Sequence, residues 1–115
     1  MLYISKDGVI ELTRGDTARL SVDTTYIDSD EKEYPYLMAE GDTLVFSIKK
    51  NVKDFKSCVE KKAINGNEFH LKPEDTAKLA FGKYVYDVEL QTADGERYTI
   101  IEKTTFKICE EVSAS

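Results

Sequence analysis

Tryptophan is absent from this chain of 115 residues, histidine occurs once, and cysteine and proline occur twice each. The single histidine, His70, lies between Phe69 and Leu71 and out of phase with both. That pattern describes an exposed strand side chain rather than the base of a catalytic triad. Two cysteines, Cys58 and Cys109, are too few to staple a small secreted scaffold and are read as free thiols in a reducing compartment. One histidine and two widely separated cysteines also lack zinc-ligand spacing. Basic residues are the minority, 16 against 22 acidic, for a net charge of -6 and a pI near 4.8. This is the wrong sign for a surface that binds by neutralising phosphates, so no nucleic acid partner is expected. Apolar runs extend only a few residues, far short of the roughly 20 that cross a bilayer, and the opening MLYISKDGVIEL has no basic start followed by a long apolar stretch. Neither a membrane partner nor an export signal is expected.

What is present is period-two patterning. A hydrophobic content of 41% in 115 residues suffices for one domain, 1–115, around one core. In residues 16–25, Ala18, Leu20 and Val22 alternate with polar neighbours, and Leu44, Phe46 and Ile48 do the same further on. Both read as strands with one apolar face. Residues 83–92 repeat the pattern most strongly, with Tyr84, Tyr86, Val88 and Leu90 on one side, as a central strand would. A short strand is expected at 9–13. Asn65-Gly66 and Asp94-Gly95 supply the positive φ angles of tight hairpins, which predicts pairing of 57–64 with 67–72 and of 83–92 with 96–109. The last run is long and changes phase at Ile100-Ile101-Glu102, where a bulge is expected. Pro73 followed by Glu74 and Asp75 spells one or two helical turns. Residues 26–40 break the strand pattern and read as a mobile connection. Leu20, Val22, Leu44, Phe46, Ile48, Tyr84, Tyr86, Val88, Leu90 and Phe106 are the predicted core.

Candidate chemistry is sparse. Asp28, Asp30, Glu31 and Glu33 cluster in the 26–40 segment, but they lack the glycine and twelve-residue spacing of a calcium loop and read as solvated acids. The other acids alternate outward or sit in turns, so no carboxylate pair is singled out for glycoside hydrolysis. Arg14-Gly15-Asp16 matches the integrin-binding tripeptide in letters, yet Gly15-Asp16 is a natural turn between two strands. Tyr26, Tyr34 and Tyr36 fall outside the core pattern, and their segment is the candidate partner-contact surface. No catalytic, cofactor or metal residues are assigned, and the chain is expected not to be an enzyme.

About seven short strands, with a helical turn leading into Gly82-Lys83-Tyr84-Val85-Tyr86, resemble an immunoglobulin-type antiparallel β-sandwich at its E to F corner. There a tyrosine precedes the central core position of strand F by two residues. Tyr86 stands where antibody domains carry a cysteine, so the resemblance is to disulfide-free relatives. The phrases Leu12-Thr13-Arg14-Gly15-Asp16-Thr17, Gly41-Asp42-Thr43-Leu44-Val45-Phe46-Ser47-Ile48-Lys49-Lys50 and Gly82-Lys83-Tyr84-Val85-Tyr86-Asp87-Val88-Glu89-Leu90 are similar to small prophage proteins of Gram-positive bacteria and to the N-terminal immunoglobulin-like domain of the upper baseplate protein of lactococcal phages. The resemblance implies an all-β, immunoglobulin-like fold and a non-enzymatic structural role in a phage or prophage tail or baseplate. Other phage structural proteins or further copies of the chain would be its partners, and the bacterial host cytoplasm, then the virion, its location. The downstream stalk of that baseplate protein has no counterpart here. The alternative is a free-standing binding module for a carbohydrate or a cell-surface protein, served by the three loop tyrosines.

Overall fold

The computed structural model describes residues 1–22, 25–27, 29–35, 39–51, 53–54, 56–64 and 66–110, with the backbone alone at 25–27, 34–35 and 64. Its elements, in order, are β1 (Leu2–Ile4), β2 (Ile10–Thr13), β3 (Ala18–Ser21), β4 (Thr25–Ile27), β5 (Glu33–Pro35), β6 (Thr43–Lys49), β7 (Val59–Ile64), β8 (Glu68–Leu71), α1 (Pro73–Thr76), β9 (Gly82–Gln91) and β10 (Arg97–Cys109). A six-stranded sheet runs β1-β2-β10-β9-β6-β7, while β3-β8 and β4-β5 form two-stranded sheets. Every ladder is antiparallel except β2 with β10, so the large sheet is mixed. The chain is all-β, with this curled mixed sheet packed against the small β3-β8 pair.

Alternation builds the core as the period-two pattern requires. On β9, Tyr84, Tyr86, Val88 and Leu90 are buried while their neighbours are half-buried or, at Lys83, exposed. Leu44, Phe46 and Ile48 of β6 lie beside them, and Leu20, Phe69 and Leu71 face them from β3-β8. All ten predicted core residues are buried. Phe46 is the hub, its ring 5.5 Å from Phe69 across the sheets, 5.3 Å from Tyr86 and 6.2 Å from Phe106. Each such buried side chain contributes about 1.5–3 kcal/mol.

The predicted helical turn is α1. Pro73 opens it, where its missing N–H costs nothing, and the Asp75 carboxylate accepts the Lys72 N–H at 2.7 Å. Thr76 is fully buried, and its hydroxyl accepts the Gly15 N–H at 2.8 Å. This bond ties the turn to the β2–β3 connection. The β9–β10 hairpin and the predicted bulge are both present, with register shifts between Thr99 and Ile101 and between Ile101 and Thr104.

Three expectations need correction. Residues 57–64 and 67–72 do not form a hairpin ladder: β7 pairs with β6, and β8 crosses to pair with β3. Their apolar sides complete two facing layers, so packing Phe69 and Leu71 over Phe46 outweighs the local hairpin. Residues 26–40 are more than a loop, since β4 and β5 pair there with Tyr26 opposite Tyr34. The described residues also contain ten strands rather than about seven, the additions including β1 on the edge next to β2.

Candidate interaction surface

β10 is one strand with two different neighbourhoods. It pairs with β9 from Arg97 to Ile108, but with β2 only from Phe106 to Cys109. Among the described residues, its other edge therefore has no strand partner over 99–105. Two bulges re-aim the strand within that stretch. Unpaired N–H and C=O groups on such an edge form a template for another strand.

A cavity of about 150 Å³ opens beside this gap, walled by Ile4, Ile10, Val22, Phe46, Val88 and Ile101. Gly8 and Tyr86 also line it. Tyr86 donates its hydroxyl to the Gly8 carbonyl, bridging the central strand to the β1–β2 turn. Burial pushes its phenol above the ordinary value of 10. Gly8 has φ +84, and a Cβ there would meet the Tyr86 hydroxyl oxygen at 3.3 Å, so glycine suits both the turn and the close approach. Ile4 in the cavity wall and Tyr98 further along β10 are each 51% exposed. The arrangement is suited to accepting an extended segment that bonds to the β10 edge and seats an apolar side chain in the hollow.

At the opposite end, Tyr84 donates its hydroxyl to the Ala80 carbonyl four residues upstream, at 2.8 Å. The Arg14 guanidinium lies 4.1 Å above the Phe81 ring, and the Asp16 carboxylate pairs with the Met1 amine. The Arg14-Gly15-Asp16 tripeptide is thus engaged in a structural turn, with Gly15 at φ +83.

The remaining candidates do not converge. His70 is exposed on β8, opposite Arg19. Cys58 is exposed and Cys109 half-buried, both free. Asp30 accepts the Lys32 N–H within its own turn, and Asp28 lies outside the described residues. Among the described residues, no three histidine, cysteine or acidic side chains come together as metal ligands. On the outer face of the large sheet, burial raises the Asp87 pKa, with Lys49 opposing and Glu89 reinforcing the shift. Ser47 lies opposite this acid, but no histidine joins them. The backbone register sets Tyr26 opposite Tyr34, and Tyr36 lies outside the described residues. The open β10 edge has a trace in the sequence: a run of 13 strand residues beside a partner of four. No helix among the described residues is long and apolar enough to cross a membrane.

No family model, curated protein or solved structure matches this chain.

Proposed function

We propose that this chain is a non-enzymatic structural component of a phage or prophage particle, in its tail or baseplate, and that it works through protein contacts on an immunoglobulin-like framework. The open edge of β10 over 99–105, with half-exposed Ile4 in the wall of an apolar cavity beside Ile101, is the observation that carries the contact role. A small domain with an unprotected edge is suited to a larger assembly, where a neighbour completes the ladder.

The immunoglobulin-like reading rests on connectivity. The large sheet's β2-β10-β9-β6 order, a β3-β8 pair on the other side and a helical turn between β8 and β9 match that architecture. The Tyr84 hydroxyl reaching back to Ala80 has the form of a tyrosine corner, two residues before the core position held by Tyr86. Phage membership itself rests on the resemblance of the three sequence phrases.

Mass spectrometry of particles purified after induction of the host tests the proposal. The protein is expected in the particles, and the variants Ile4→Ser and Tyr98→Ser should be incorporated less well while remaining folded. Absence of the wild-type chain from particles would sink the reading. A binding module is the second reading, favoured by the register that places Tyr26 opposite Tyr34 on a hairpin. Specific retention on a glycan array, lost in Tyr26→Ser with Tyr34→Ser, together with absence from particles, would establish it instead.

A further inference from the structure

Charge is distributed unequally between the two ends of the strands. Lys50, Lys53, Lys56, Lys72, Lys78 and Lys83 are exposed at the end that holds α1 and the β6–β7 connection. Several acids at that end are already engaged: Asp75 pairs with Lys61 at 2.8 Å, Asp54 accepts the Asn51 N–H at 3.0 Å, and Asp16 pairs with the Met1 amine. Glu60, Glu74 and Glu110 are also exposed at this end, so the six lysines outnumber the exposed acids there. Phe81, 41% exposed beneath Arg14, adds an apolar patch among them.

The other end has the opposite sign. Glu40, Asp94 and Glu96 are exposed in the β5–β6 and β9–β10 connections, with Arg97 the exposed base beside them. Packing joins these two connections, since a Cβ on Gly41 would lie 2.8 Å from the Ala93 Cβ. The ten residues of β9 separate the two ends by roughly 30 Å at about 3.3 Å per residue. That is several times the screening length of about 8 Å at physiological salt, so within one molecule the two ends do not neutralise each other. Only a second molecule can bring them together.

We propose that the lysine-rich end docks on the acidic end of a second copy, in a head-to-tail contact. Such a contact joins unlike surfaces, so it propagates into a ring or a filament instead of stopping at a symmetric dimer. The basic patch selects an acidic partner, and the chain's own far end supplies one of matching sign at every copy. The contact does not depend on phage membership, and the isolated protein tests it separately from the particle assay.

Sedimentation velocity of the purified chain, between about 0.01 M and about 1 M salt, spans screening lengths of about 30 Å to about 3 Å. At low salt the mass should rise with protein concentration, and at high salt it should return to monomer. Lys53→Glu with Lys56→Glu and Lys78→Glu should be monomeric alone, as should Glu40→Lys with Asp94→Lys and Glu96→Lys. Mixed in equal amounts, the two triple variants should associate, because each retains one native end and the reversed ends are again opposite in sign. Circular dichroism checks that each variant is folded. A wild-type chain that stays monomeric at low salt, association indifferent to salt, or a mixture that fails to associate would each overturn the proposal.

Discussion

The two halves of β10 show how one strand serves two purposes. From Phe106 to Ile108 it has neighbours on both sides, β9 and β2, and Phe106 and Ile108 are buried in the core. From 99 to 105 its only strand neighbour among the described residues is β9, and it carries the bulges; Tyr98 is exposed. The first half closes the sheet over the core, and the second leaves it open. Apolar burial decides where the sheet closes: β2 stays beside β10 where Ile10 and Leu12 can join Phe106 and Ile108 in the core, and separates where the cavity begins.

The sharpest way to break this contrast is to remove the hub of the closed half. Phe46→Ala should cost about 3–5 kcal/mol, a large share of a small domain's stability of about 5–15 kcal/mol, as read by urea denaturation. Gly41 tests the far end, where it has φ +88 and sits against Ala93. Gly41→Ala should cost about 2 kcal/mol, and a change no larger than that of an ordinary surface site would contradict the close approach. Tyr84→Phe keeps the ring and removes the hydroxyl bond to Ala80, for a loss of about 1 kcal/mol.

Asp75 sharpens the comparison through pH. Burial opposes ionisation of its carboxyl, but the hydrogen bonds from Lys61 and the Lys72 N–H and the charges of both lysines outweigh it, holding the pKa below 3.8. A depressed carboxyl pKa adds stability that is present above the unfolded value and disappears as pH falls through the folded one. Asp75→Asn should therefore lower stability at neutral pH by about 0.5–1 kcal/mol, and its deficit should shrink below pH 3.8. Tyr98→Ser lies outside the closed half and should change stability by less than about 0.5 kcal/mol, because the ring lies outside the core.

Much of the closed half was legible in the sequence, because period-two alternation identifies the face a side chain takes. Tyr84, Tyr86, Val88 and Leu90 fall on the buried side for that reason, and the phase change near Ile101 reports the bulge. The same pattern does not identify a strand's neighbour. Val59 and Ala63 of β7 and Phe69 and Leu71 of β8 carry inward-facing residues that suit a hairpin or two facing layers equally. Lys61, on the same side of β7 as Val59 and Ala63, finds Asp75 of α1, a partner contributed by a separate element. The β4–β5 pair escaped notice because the acids at 28–33 dominate its connection and no Asn-Gly marks the turn. The sequence marked Tyr26, Tyr34 and Tyr36 as the contact surface and not the β10 edge, which depends on where β2 ends and is set only by tertiary pairing.

Amide hydrogen exchange along β10, measured by NMR on the free chain and by mass spectrometry on the chain recovered from particles, addresses the open edge most directly. In the free chain, alternate amides over 99–105 should exchange much faster than those of Phe106 to Ile108, which lie between two strands. In the particle, the 99–105 segment should become protected as a neighbouring strand completes the ladder. Equal protection of both halves in the free chain, or an unchanged 99–105 segment in the particle, would contradict the account.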